Sequence, residues 1–507
     1  MRLFRRNALG IYAVYAAAIA SGLIVTPIVL HTLGEEPFGI WAFIGAITIY
    51  LSVLDLGVGP SVVRYSAAAR GARATDETNT IASVGLALYG VIGLVTLPVG
   101  LGLAWVVPAL VSTPDDLVSE ARIATFLVVL SIAARFPLGL FNNLLIGQQR
   151  FDLQNAANFV STVLYAALVA ILLPNGGGLV LLGALTLGTT LLRLALPLAW
   201  LRRELPELRL RRRLVTRERV RELVSFSWSN FLVHVANKVV FATDVVVVGI
   251  VLGPRAAALY AIPAKLFSLA FGLGSVGSSL LLPALAEHEG AGEEERQRRL
   301  LLAGLRGGMA AAVFLALPLL LIPDQLIEAW LPPGDYGESS PVLVLLALVL
   351  LVHQPIYLVT QFLIARARQR EVARTLVLGS LANVVLSVVL APTVGIWGVA
   401  LSTLVTDLAV LLYIVPALVA PAASIRAAAF ARAALRPVLP AVAAALLLLV
   451  GVARLTEPDT LLELLPLGIA WFLACGFALW RYGFDEGERA TIGRQLRPPS
   501  SPVPEGL

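Results

Sequence analysis

Lysine is almost missing from this chain: only Lys238 and Lys265 occur among its 38 basic residues, and the rest are arginine. Charge of either sign is scarce, at 14% of residues, against roughly a quarter in a soluble domain. That excludes a water-soluble globule. The one cysteine, Cys475, excludes an intramolecular disulfide framework. No Cys/His cluster, glycine-rich phosphate loop or G-x-S-x-G turn is present. Nothing therefore points to a metal site, ATP hydrolysis or any other cofactor.

What is abundant is apolar sequence, 58% of residues with a mean hydropathy of +0.86. Runs of roughly 18 residues or more recur, each long enough to cross a hydrocarbon core of about 30 Å as a helix. Strands or irregular segments alone could not pair their backbone there. The hydropathy predicts an all-α polytopic membrane protein of about fourteen spans: 8–30, 38–60, 81–107, 122–147, 154–174, 179–201, 223–252, 257–282, 301–323, 342–364, 373–391, 396–418, 437–453 and 463–481. Ala18-Ile19-Ala20 mimics a signal cleavage site, but the apolar run continues to Leu30, so a retained first helix is expected.

The formal charge of +6 could suggest a nucleic-acid partner, yet the arginines follow the membrane instead. One alternating set of loops and termini carries 30 of them, while the other carries only Arg255 and Arg454, with Arg122 at its edge. The second set holds acids such as Glu35, Glu36, Asp115, Asp116 and Asp335. By the positive-inside rule both termini are expected in the cytoplasm. The expected division is a lobe of six helices over 1–201, a cytoplasmic linker over 202–222, a second six-helix lobe over 223–418, and two more helices with a tail over 419–507. The linker, "RRELPELRLRRRLVTRERVRE", reads as a solvated segment touching anionic headgroups. A repeat supports two halves: "LGEEPFGIWA" at 33–42 aligns with "LGPRAAALYA" at 252–261, an offset of 219.

Ionisable residues inside spans are costly, and face a bundle interior or water. The cations are Arg135, Arg193, Lys238 and Lys265; the anions are Asp55, Asp244 and Asp407. On the seventh span Asn230, His234, Asn237 and Lys238 fall at i, i+4, i+7 and i+8, which puts them on one face. Such a stripe is expected to line a cavity. Asp244 and Lys265 sit at similar depth below the Gly253-Pro254 turn, so a cross-hairpin ion pair is one reading of Lys265. Arg135 and Arg193 either line the cavity or snorkel to the interface. Arg64, at a span end, is either a gate or a topology charge. Asp55 and Asp407 either pair with neighbouring helices or bind a coupling cation. His353 in "LLVHQPIY" reads as a packing residue. Prolines within spans, Pro27, Pro98, Pro137, Pro197, Pro263, Pro355 and Pro416, mark possible hinges.

Three segments carry a family resemblance. "FGIWAFIGAITIYLSVLDLGVGPSVVRY" (38–65), "LLIGQQRFDLQNAANFV" (144–160) and "SFSWSNFLVHVANKVVFATDVVVVGIVLGPRAAALYAIPAKL" (225–266), with its Thr243-Asp244 step, resemble the bacterial polysaccharide and O-antigen flippases of the multidrug/oligosaccharidyl-lipid/polysaccharide exporter superfamily. The resemblance implies two pseudo-symmetric six-helix lobes around a central cavity that faces either side in turn. It implies as substrate a polyprenyl-pyrophosphate-linked glycan, with coupling to H+ or Na+. Preplaced cations suit that job, because attraction to a pyrophosphate strengthens as the dielectric falls. A multidrug/cation antiporter and a lipid II flippase are the alternatives within the superfamily. A polymerase or ligase would carry reactive residues on a sizeable exterior loop, and the longest such loop, 324–341, has no His, Arg or Lys.

Overall fold

The apolar runs fold as helices, because in hydrocarbon a backbone N–H or C=O finds its partner only within its own segment. The computed structural model describes residues 2–55, 57–279, 281–452, 461–483 and 486, and within these the side chains except at 2–9, 11–12, 53, 225–242, 276–279, 446–452 and 461–465. No strand occurs among the described residues. The helices are α1 (Arg2–Leu33), α2 (Glu35–Ile49), α3 (Val58–Gly71), α4 (Thr75–Leu110), α5 (Val118–Gly147), α6 (Phe151–Leu172), α7 (Gly178–Glu204), α8 (Arg217–Leu252), α9 (Pro254–Ser279) and α10 (Leu281–Gly290). They continue as α11 (Glu294–Leu321), α12 (Pro323–Trp330), α13 (Ser339–Ala365), α14 (Gln369–Val394), α15 (Ile396–Ile414), α16 (Ala420–Ala423), α17 (Ala427–Leu435), α18 (Val438–Val452) and α19 (Leu461–Ala478).

Among the described residues, 11 helices are long and apolar enough to cross a membrane. Large apolar side chains on them face outward, for example Leu94, Trp105, Val385, Leu412 and Phe477. That pattern suits lipid and would be costly in water. Two of the remaining expected spans, 223–252 and 463–481, lie partly among side chains outside the description. The third, 38–60, is a correction. It is not one helix but α2, a 3-10 turn over Tyr50–Asp55, and α3, which starts past Gly57. Gly57 takes the left-handed φ of 77° that ends regular helix, and Pro60 sits in the first turn of α3, where its missing N–H costs nothing. Irregular backbone at membrane depth is tolerated where it lines a cavity. Such a cavity lies beside this break.

By spatial contacts the chain divides into two compact units. The first comprises Met1–Leu266, Trp330–Val342 and Ala373–Thr406; the second comprises Phe267–Ala329, Leu343–Val372 and Asp407–Leu507. In the first, Ile40, Phe43 and Ile44 of α2 are buried with Val84 of α4, Leu140 and Leu144 of α5, and Leu179 and Leu201 of α7. In the second, the Trp471 indole donates to the Phe314 carbonyl at 3.1 Å, and the two rings stack at 5.9 Å. This pins α19 against α11.

The sequence repeat has a backbone counterpart. Gly34 takes φ 88°, ψ 179° and Gly253 takes φ 90°, ψ −176°, a conformation open essentially to glycine alone. Each donates its N–H four residues back, to Leu30 and Gly249, and accepts from four residues on, Phe38 and Ala257. The two repeats also touch each other. Arg255 Nε lies 2.8 Å from Glu35 Oε2, and a Cβ on Gly39 would stand 1.8 Å from the Pro254 carbonyl oxygen.

The arginine-rich linker keeps most of its arginines exposed, as the charge pattern suggests, and it is also tied down. Its backbone is strapped to α4: Arg209 N–H donates to Asn79 Oδ1 at 2.7 Å and Arg211 N–H to Ser83 Oγ at 3.0 Å. Arg219 then grips Glu77 through both terminal nitrogens at 3.1 and 3.2 Å. The linker ends where Thr216 caps α8, its hydroxyl accepting from Arg219 N–H at 3.3 Å.

Candidate functional site

The break between α2 and α3 opens onto a cavity of about 650 Å³, all of it within the first unit. The 3-10 turn contributes Ser52 and Asp55, α3 contributes Arg64, α5 contributes Arg135, Asn142 and Asn143, α6 contributes Gln154 and Asn158, and α7 contributes Arg193. Its charged lining is three guanidinium groups and one carboxylate. Arg64 and Arg135 are exposed there and Arg193 is half-buried, so all three can meet a solute. Arg135 is within electrostatic reach of Arg193 and of the Tyr89 hydroxyl.

A hydrogen-bonded chain holds the carboxylate in place. The Tyr89 hydroxyl donates to Asp55 Oδ1 at 2.7 Å, and Asn143 Nδ2 donates to the Tyr89 oxygen at 3.2 Å. Phe136 packs on Tyr89 with ring centroids 6.1 Å apart, and Tyr89 is only 3% exposed. This chain fixes Asp55 beside arginines whose planar forks suit an anion. Clustered like charges strengthen attraction for a polyanion of phosphate type. The same cluster repels an organic cation.

Four of the eleven ionisable or polar residues singled out in the sequence thus converge: Arg64, Arg135, Arg193 and Asp55 line one cavity. Arg64 does so because the broken span carries helix on to Gly71, past the expected span end at 60. Tyr89, Asn142, Asn143, Gln154 and Asn158 were not singled out. The i, i+4 spacing of Gln154 and Asn158 on an apolar helix is the signal that could have found two of them.

Asp244 sits in a second polar cluster of the same unit. It is 2% exposed, and its Oδ2 accepts from Tyr260 at 2.8 Å and from Thr403 at 3.0 Å. Asn383 Nδ2 donates to Thr403 Oγ1 at 2.9 Å and to Ser402 Oγ at 3.2 Å, and Ser387 bonds Ser402. The carboxylate on α8 so takes hydroxyl groups from α9 and α15, and α14 backs the α15 hydroxyls. Tyr50, in the 3-10 turn, bonds the neighbouring Thr243 at 2.6 Å. Lys265 lies five residues beyond Tyr260 on α9, about 140° round the helix from the face turned to Asp244.

In the second unit His353 Nδ1 lies 2.8 Å from Asp407 Oδ2, and each residue is 8% exposed. Phe271 stands edge-on to the imidazole at 5.1 Å. The packing histidine and the intramembrane acid of the sequence are thus one buried pair. Asn230, His234, Asn237 and Lys238 fall on α8, but their side chains lie outside the described residues. Among the described residues no group of His, Cys, Asp or Glu is arranged to hold a metal ion.

Comparison with known proteins follows the same lines. The family described as polysaccharide biosynthesis protein matches residues 4–289. No curated protein matches the sequence. Among solved structures, the lipid II flippase MurJ in an inward closed conformation superposes with a TM-score of 0.73 at 14% identity, covering 94% of this chain and 99% of that one. An inward-facing multidrug resistance MATE family transporter of the MOP superfamily gives a TM-score of 0.65 at 14% identity, covering 79% and 92%. An outward-facing MATE family transporter gives 0.59 at 14% identity, covering 81% and 93%. At such identities the likeness is one of fold: the chain has the helical fold that these transporters share.

Proposed function

The chain belongs to the polysaccharide biosynthesis protein family, and from that premise we propose that it is a flippase for lipid-linked glycans. It carries an undecaprenyl-pyrophosphate-linked oligosaccharide from the cytoplasmic to the outer leaflet of the inner membrane, by alternating access, for cell-surface polysaccharide assembly. Its lobes are 1–201 and 223–418, joined by 202–222, with 419–507 adding two helices, and both termini are cytoplasmic. What carries the reading is the convergence of Arg64, Arg135 and Arg193 on one cavity. The headgroup's pyrophosphate docks on these arginines while the prenyl tail stays in lipid. Asn230, His234, Asn237, Lys238 and Lys265 extend the polar path. Asp244, inside its hydroxyl and amide cluster, is the place for a coupling H+ or Na+, with Asp55 and Asp407 as further coupling positions.

A multidrug or cation antiporter of the same fold would need an acidic cavity, and this one holds three arginines against one carboxylate. A lipid II flippase shares the pyrophosphate and differs in the headgroup, so the substrate itself must discriminate. The test is translocation of labelled prenyl-pyrophosphoryl lipids in vesicles bearing the purified protein, with lipid II, other glycans and an organic cation as separate arms. Arg135→Gln is expected to slow glycan translocation tenfold or more, since a hydrogen bond to a charged group contributes roughly 1.5–3 kcal/mol. Vesicles that move the cation and no pyrophosphate lipid would defeat the proposal.

A further inference from the structure

A second cleft of about 210 Å³ opens between α6 and α7, lined by Ser161, Thr162, Tyr165, Thr186, Thr189, Thr190 and Arg193. It shares Arg193 with the arginine cavity. The polar positions on α6 run 154, 158, 161, 162 and 165, and on α7 they run 186, 189, 190 and 193. Both sets keep helical spacing, so one polar seam passes from the cavity into the cleft.

The chemistry of the seam changes along its length. In the cavity it is cationic; in the cleft it is hydroxyl oxygen. Ser161 donates its proton to the Ala157 carbonyl at 2.8 Å, Thr186 to Leu182 at 2.8 Å and Thr189 to Leu185 at 2.7 Å. A hydroxyl whose proton is committed to its own helix keeps its lone pairs, and so presents an acceptor. Tyr165 and Thr186 line the cleft from its two helices. Back-bonded hydroxyls alone are common in membrane helices; what sets these apart is that two helices turn theirs into one cleft beside a guanidinium.

Acceptors without a carboxylate call for a neutral ligand rich in donors. Phosphate brings only acceptors, and an ammonium is repelled by Arg193. We infer that the α6–α7 cleft is a sugar subsite, accepting hydrogen bonds from the hydroxyls of the pyranose joined directly to the pyrophosphate. The inference rests on the proposed flippase reading, and Arg193 marks the junction where phosphate chemistry gives way to sugar.

The test measures binding of two probes to the purified full-length protein in lipid nanodiscs: a bare prenyl pyrophosphate and the same lipid carrying one hexose. The Thr189→Val, Thr190→Val double variant keeps side-chain volume and removes two acceptors. It is expected to weaken binding of the glycosylated probe about tenfold, or ~1.4 kcal/mol, and to leave the bare probe within about twofold. Thr189→Ser with Thr190→Ser should restore the glycosylated probe's affinity, which a merely structural role for the methyl groups would not allow. Equal weakening of both probes, or none for the glycosylated one, overturns the subsite while the flippase reading stands. If the unaltered protein binds neither probe, both fall.

Discussion

Individual residues in this protein do work that their neighbours in sequence do not reveal. Gly39 is the clearest case, because its missing side chain lets α2 touch the carbonyl of Pro254 at the start of α9. A Cβ there would stand 1.8 Å from that oxygen, whereas Gly45, on the same helix, has nothing within 4 Å of its would-be Cβ. Gly39→Ala is therefore expected to lower the midpoint of thermal unfolding in detergent, at a cost of roughly 1–3 kcal/mol typical of overpacking. Gly45→Ala should leave the midpoint unchanged or slightly raised, from its gain in helix propensity. Equal midpoints for the two variants would show that the close approach does not hold in solution. Arg64 teaches a related lesson. From sequence it reads as a charge at the end of a span, and only the extension of α3 to Gly71 brings it into the arginine cavity.

At the scale of elements, the linker and the broken span carry more structure than the hydropathy pattern shows. Nine arginines in 202–222 read as a solvated stretch and most of them are exposed, but charge counts do not see the backbone hydrogen bonds. The strap forms because Asn79 and Ser83 sit one helical turn apart on α4 and meet the alternating N–H groups of an extended segment at Arg209 and Arg211. Asn79→Ala combined with Ser83→Ala should free the strap, so that trypsin cuts at Arg209 to Arg213 severalfold faster than in the unaltered protein. Each lost backbone hydrogen bond contributes about 1 kcal/mol, enough for a factor of roughly five in local opening. An unchanged cleavage rate would mean that the strap is held elsewhere. The break in 38–60 was legible only in part: "LGVGP" contains the residues that end a helix, yet the surrounding run is apolar enough to read as one span. Ser52 and Asp55 line the cavity from this irregular stretch, where such backbone is tolerated.

For the molecule as a whole, the proposed topology rests on where arginine is and is not. The acidic end carries Glu35 and Glu36, and the arginine-rich end carries the strap. The native Cys475 is buried, so single cysteines can report sidedness. In intact cells stripped of their outer layers, Glu36→Cys should react with a membrane-impermeant thiol reagent, and Arg211→Cys should react only after permeabilisation. Reaction of both, or the reverse order, would overturn the proposed orientation. Such a result would leave the fold untouched, because the likeness to the MurJ and MATE structures rests on helix packing and not on sidedness.

Composition and periodicity alone determined that the chain is a bundle of membrane helices, because hydrocarbon leaves no other way to pair the backbone. They also located the rare charges, since each stands out against an apolar background, and found the repeat whose paired glycines share one backbone conformation. Which charges stand together was decided by tertiary structure. Arg64, Arg135 and Arg193 come from three helices, Asp55 from the turn before α3, Asp244 meets Tyr260 and Thr403 from two others, and His353 finds Asp407 across 54 residues. Helical spacing fixes the face on which a side chain lies, but the partner of that face is chosen by packing between segments distant in sequence, and that choice is where the sites are made.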